Sequence, residues 1–99
     1  EVRGNDLVVD FIIYNNFRDA TLENANFKNT SLWFVNFYSA NLANANLSGA
    51  DLSKGYLADA DLSGANLEGA NLEGTILDGA TINAGTNLKC INHQICEIG

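Results

Sequence analysis

The side chains best suited to chemistry sit near the C-terminal end, where Cys90, His93 and Cys96 follow one another at three-residue spacing. They are the only cysteines and the only histidine of the chain. As a metal site, Cys-x-x-His-x-x-Cys offers three ligands with Glu97 as the nearest fourth, whereas structural zinc takes four well-defined ones. As a nucleophile dyad, a cysteine beside His93 lacks an acid to orient the imidazole. The two sulfurs also suit a disulfide. On an unbroken helix, residues six apart are separated by about 9 Å of axial rise, beyond disulfide reach, so a bonded pair needs any helix to end near His93 and fold back. The pair reads as a staple of an oxidising compartment ahead of two free thiols, the cytoplasmic alternative, or a metal site. Elsewhere there is no glycine-rich phosphate loop and no convincing carboxylate pair. The expectation is therefore a chain with no catalytic residue, no metal and no cofactor.

Charge and length narrow the classes further. The 99 residues suffice for one domain, and they carry 5 Lys and Arg against 12 Asp and Glu, a formal charge of −7. A phosphate-neutralising basic face is missing, which argues against direct nucleic-acid binding. The longest apolar runs, Phe11 to Tyr14 and Leu32 to Val35, fall far short of the roughly 20 residues that span a bilayer, so no membrane span is expected. The chain opens on Glu1 without Met, the form expected of a processed or trimmed protein.

The elements that must hold these side chains announce themselves through a repeat. A large apolar residue recurs every five positions at Leu7, Ile12, Phe17, Leu22, Phe27, Leu32, Phe37, Leu42, Leu47, Leu52, Leu57, Leu62, Leu67, Leu72, Leu77 and Ile82. Two residues before each, the side chain is mostly small, as in Ala45-Asn46-Leu47 and Ala65-Asn66-Leu67. Five residues advance a helix by about 500°, which scatters the large residues around the cylinder. On a continuous strand, an odd period flips faces at every repeat. The pattern fits a short extended piece in which small and large residues point the same way, followed by a corner that turns the chain inward again.

With Ala-(Asp/Asn)-Leu-x-x repeated from Ala40 to Gly74, the chain resembles pentapeptide-repeat proteins, cleanly over residues 20–84 and more loosely over 5–19. The resemblance implies an all-β solenoid, a right-handed quadrilateral β-helix with four pentapeptides to a coil and about four coils over residues 1–86. Twenty residues per coil would stack Phe17, Phe37, Leu57 and Leu77 in one inner column and Leu7, Phe27, Leu47 and Leu67 in the opposite one. Gly49, Gly64, Gly69, Gly74 and Gly79 fall two after the large residue, where a corner needs a positive φ. The family is plentiful in cyanobacteria and chloroplasts, which points to the thylakoid lumen, or a periplasm, as the compartment for a stapled member.

Departures from the pattern carry the functional reading. Asn5, Asp10 and Asn15 take inward positions, so residues 1–16 are expected to be partly irregular, and Gly55 and Gly85 stand where Ala is usual. Ile13, Tyr14, Trp33, Phe34 and Tyr38 fall at outward positions, and the stacking places Ile13 under Trp33 and Tyr14 under Phe34. Such an apolar patch marks a partner surface, lies under an intramolecular lid or a second copy in a weak homodimer, or has no role. The favoured function is a non-enzymatic rigid scaffold or protein-interaction module. The alternative is an acidic DNA mimic acting on a DNA enzyme such as gyrase, as some family members do. Glu68, Glu73 and Asp78 oppose it, because they occupy the same place in consecutive units and so encircle the coil.

After Ile82 the beat of five fails at Asn87. Leu88, Ile91, Ile95 and Ile98 then follow i, i+3, i+7, i+10, which predicts a short amphipathic helix as a cap over residues 87–99. Thr86 or Asn87 would be its N-cap. It would close the open core across Leu77 and Ile82.

Overall fold

The computed structural model describes residues 15–97; Leu7, Ile13, Tyr14 and Ile98 lie outside them. Parallel bridges join each residue to the one a full coil later, as in Asn16 to Asn36, Thr21 to Asn41, Asn26 to Asn46 and Ser31 to Asp51. Four bridges per twenty residues make a coil with four faces. Among the described residues each face stacks four rungs: 16, 36, 56 and 76 on the first; 21, 41, 61 and 81 on the second; 26, 46, 66 and 87 on the third; 31, 51, 71 and 91 on the fourth.

The corners explain why the unit is five residues long. Each repeat closes on a backbone hydrogen bond such as Ala20 N–H to the Phe17 carbonyl, 3.0 Å. From Asp19 to Gly79 the residue two after the large one has positive φ, whether Asp19 at 59°, Phe34 at 61°, Lys54 at 59° or Gly69 at 72°. That combination is a type II turn, for which Gly is the least strained occupant. Asn and Asp reinforce it. Asn26 Oδ1 accepts from Lys28 N–H at 3.0 Å, Asn46 from Ser48 at 3.0 Å and Asn66 from Glu68 at 3.0 Å, so the side chain before each large residue ties down the turn after it. Asp61 is held in the same way by Ser63, through its hydroxyl at 2.6 Å and its N–H at 2.9 Å. These two donors, the hydroxyl first, keep its carboxyl below the usual carboxylate range. This contribution is present at neutral pH and fades as acid protonates the group.

Inward, the large and small residues form one continuous core. Phe37, Leu47, Leu57, Leu67 and the alanines between them are buried, while Phe17, Phe27 and Leu77 are partly buried at its ends. The Phe37 ring stacks on Phe17, 5.3 Å between centroids, and meets Phe27 edge-on at 5.6 Å. The aromatic rings of the two columns therefore touch across the coil. Asn15 is half-buried, and its carbonyl accepts from Asn36 N–H, so the regular ladder is already established there.

The C-terminal segment departs from expectation. Asp61 pairs with Thr81 but Asn66 pairs with Asn87, a step of 21 residues instead of 20, so one extra residue lies between Ile82 and Asn87. It is absorbed by a turn in which Thr86 N–H donates to the Asn83 carbonyl at 3.0 Å. Gly85, expected inward, is exposed there, and Thr86 takes the inward place with its hydroxyl donating to the Leu62 carbonyl at 2.8 Å. From Asn87 to Ile91 the chain then has one residue fewer than from Asn66 to Asn71, and the twenty-residue register returns.

The expected helical cap does not form. Leu88 and Cys90 turn into the core, Ile91 is 50% exposed on the fourth face, and only Gln94–Glu97 make a single 3-10 turn. Asn87 is no N-cap; its side chain accepts from Lys89 N–H as the other corner residues do. The open edge of the rung below decides this outcome. Its Leu67 N–H and Leu72 N–H reach the Asn87 and Ile91 carbonyls at 2.9 and 3.0 Å, and a helix would leave both donors unpaired.

Candidate interaction surface

Among the described residues, large apolar side chains are exposed in one region and, apart from it, at Ile91 on the fourth face. Trp33 and Phe34 form the corner that leads into the first face, and Tyr56 and Ile76 stand on that face above Asn36. All four are exposed, between 38% and 47%. Tyr38, part-buried, begins the corner that leaves the same face. The rings are ordered by mutual contact: Trp33 meets Phe34 edge-on at 4.3 Å, and Tyr38 stacks on Tyr56 at 5.5 Å with 11° between planes. The Arg18 guanidinium covers the other side of Tyr38, 4.6 Å from its centroid.

Among the residues expected to form a patch, the structure thus pairs Trp33 with Phe34 and places Tyr38 on the opposite corner. Ile13 and Tyr14 fall outside the described residues. Tyr56 and Ile76 were not anticipated, although the signal was present: at the position where neighbouring units carry Asn, Asp, Ser or Thr, these two units carry a large apolar side chain, twenty residues apart. Among the described residues, Phe34 is the one aromatic residue in a left-handed corner, a conformation that costs a non-glycine residue about 1–2 kcal/mol.

Charge is unevenly distributed along the coil. Over residues 15–55, Arg18, Lys28 and Lys54 balance Asp19, Glu23 and Asp51, whereas over 56–97 Asp59, Asp61, Glu68, Glu73, Asp78 and Glu97 face only Lys89. Most of the aromatic strip lies in the balanced half. Glu68, Glu73 and Asp78 are exposed at three successive corners and so belong to three different edges.

At the C-terminal end, Cys90 and Cys96 are joined in a disulfide, their Cα atoms 5.0 Å apart. The intervening His93 points its Nε2 at the Thr75 carbonyl, 3.1 Å away, and its Nδ1 accepts from Ile95 N–H at 3.1 Å. A backbone N–H can only donate, so the ring proton is on Nε2. Among the described residues, no three of His, Cys, Asp and Glu come together as a metal-holding group, and no helix is long and apolar enough to cross a membrane.

Comparison with known proteins gives the chain its context. The family model for pentapeptide repeats matches residues 16–53 and 56–89, in 8 copies. Among solved structures, the chain is similar to Rfr23, a pentapeptide repeat protein from the cyanobacterium Cyanothece 51142, at 33% identity and a TM-score of 0.58, over 73% of this chain and 56% of that one. It therefore spans little more than half the length of that relative. A pentapeptide repeat protein from Nostoc Pcc 7120 is 33% identical over 87% of this chain and 83% of its own, with a TM-score of 0.49. One from the thylakoid lumen of Arabidopsis thaliana is 33% identical over 67% and 57%, with a TM-score of 0.35. The search of curated proteins found no match.

Proposed function

The chain belongs to the pentapeptide-repeat family, whose fold is a right-handed quadrilateral β-helix, and on that premise we propose that it is a rigid protein-interaction module docking through its aromatic strip. Members of this family are generally structural or interaction modules, not enzymes. The observation that carries the reading is the clustering of Trp33, Phe34, Tyr56 and Ile76, exposed on one face and its leading corner, where the only other exposed large apolar side chain among the described residues is the isolated Ile91. Aromatic side chains supply large contact area at low conformational cost, and here ring-on-ring contacts hold them in place before any partner arrives. The acidic side chains stand on different edges and support a duplex mimic less well than the strip supports a protein partner. The disulfide favours an oxidising compartment, a periplasm or thylakoid lumen, as the place of work.

The test is a triple variant, Trp33→Ser, Phe34→Asn and Tyr56→Asn, compared with the parent as bait in an extract of the source organism. Asn occupies the equivalent positions of other units, Asn29 for Phe34 and Asn36 for Tyr56, so the coil should keep its thermal midpoint within a few degrees. A partner retained by the parent and lost by the variant is the expected result. An identical set of retained proteins, with both baits folded, would refute the strip as the docking surface. Sedimentation of the parent at several concentrations separates a second copy of the chain, the weak homodimer, from a different protein.

A further inference from the structure

We propose that the Cys90–Cys96 disulfide is a redox latch on the C-terminal edge of the coil: oxidised, it holds residues 92–97 over that edge, and reduced, it releases them. The bridge ladder ends at Ile91, so the segment beyond it is outside the cooperative sheet. Apart from the disulfide, its ties to the body among the described residues are the Asn92 amide donating to Asn71 Oδ1 at 2.9 Å, the His93 contact with the Thr75 carbonyl, and partial packing of Ile95 and Cys96 against the core. Two side-chain hydrogen bonds and three half-buried residues, His93, Ile95 and Cys96, make a unit that opens locally far below the cost of unfolding the coil.

The latch covers a defined place. In the rungs below, the carbonyls of Val35 and Gly55 accept from Tyr56 and Ile76 N–H, both at 2.8–2.9 Å. Thr75 is the next residue of that column, and its carbonyl meets the His93 ring instead of a strand. His93 therefore stands in for the missing rung, and the covalent link keeps it there. When the link opens, the Thr75 carbonyl and the neighbouring apolar end of the core become an unpaired sheet edge.

The sulfurs differ in access. Cys90 is 8% exposed, while Cys96 is only partly buried. A dithiol reductant would attack Cys96 Sγ with one thiolate, and the Cys90 sulfur leaves as thiolate and takes a proton. The second thiol of the reductant then displaces Cys96, so that two thiols form here as the reductant becomes a disulfide. The new Cys90 thiol has an acceptor at hand, the Leu88 carbonyl 3.4 Å from its sulfur. Loop-closure entropy for so short a link predicts roughly a thirtyfold rise in tail opening on reduction.

Amide hydrogen exchange read by mass spectrometry, before and after dithiothreitol, tests the latch. Dithiothreitol closes to its cyclic disulfide, and the protein must gain two hydrogens. Exchange at Ile95 and Cys96, whose N–H groups bond to His93 in the closed state, is then expected to accelerate roughly thirtyfold, with Leu47 and Leu57 unchanged. Cys96→Ser should reproduce the reduced tail without reductant, and His93→Ala should loosen the tail while the disulfide stays intact. No gain of two hydrogens, an unchanged tail after demonstrated reduction, or acceleration of the whole coil together with the tail would each overturn the proposal.

Discussion

Replacing Phe37 with Ala is expected to cost about 3–5 kcal/mol, the largest loss of any single truncation in the coil. The side chain is fully buried, and its ring touches Phe17 on one side and Phe27 on another. Deletion removes the transfer energy of the ring and leaves a void that two flanking aromatic rings cannot fill without leaving their own rotamers. Phe37→Leu should lose much less, since the next rung of the same column carries Leu57 without exposure. Urea unfolding gives both values, with the slope held constant to show that the denatured state is unchanged. A loss under 1 kcal/mol for Phe37→Ala would mean that the first two rungs contribute little to the cooperative core.

Gly55→Ala should be the second large effect, and it should be repairable in part. Gly55 occupies an inward small position above Val35, and a Cβ there would lie 2.9 Å from the Leu52 carbonyl oxygen, 3.1 Å from Val35 Cγ1 and 3.2 Å from Leu57 Cδ1. Val35 is larger than the Ala usual at this place, and Gly55 yields the room it takes. Overpacking of this kind costs about 1–3 kcal/mol. In the other three columns Ala lies over Ala, as at Ala40 and Ala60 or Ala45 and Ala65, all buried. The double variant Val35→Ala with Gly55→Ala recreates that arrangement. It should be more stable than Gly55→Ala alone, with a favourable coupling of about 1–2 kcal/mol in the cycle. Simple additivity would show that the two residues do not share a volume.

The repeat made the coil legible because one side chain in five is enough to set which way the chain faces, and the error is corrected at every corner. The regular core columns followed from that count within the described residues. The role of the abundant Asn was less visible. Its frequency was plain, but its reason, a carboxamide that accepts from the N–H two residues on, belongs to turn geometry and not to hydrophobic spacing. The C-terminal segment was misread because Leu88, Ile91 and Ile95 satisfy a helical spacing by accident. A single extra residue between Ile82 and Asn87 hides the resumption of the rung, and only the waiting donors of Leu67 and Leu72 reveal that the ladder wins. The surface was half legible: Trp33, Phe34 and Tyr38 broke the outward polar rule, whereas Tyr56 and Ile76 had to be recognised as missing Asn-type residues on a shared face.

Trp33 is the only tryptophan of the chain, so its fluorescence reads the strip alone. The decisive measurement is acrylamide quenching of Trp33 in the dilute free protein and in the complex with the partner that the bait experiment retains. A docking strip requires ready quenching and red-shifted emission when free, and protection with a blue shift when bound. A complex that forms while Trp33 stays as open to quencher as before would place the partner on another face and contradict the account.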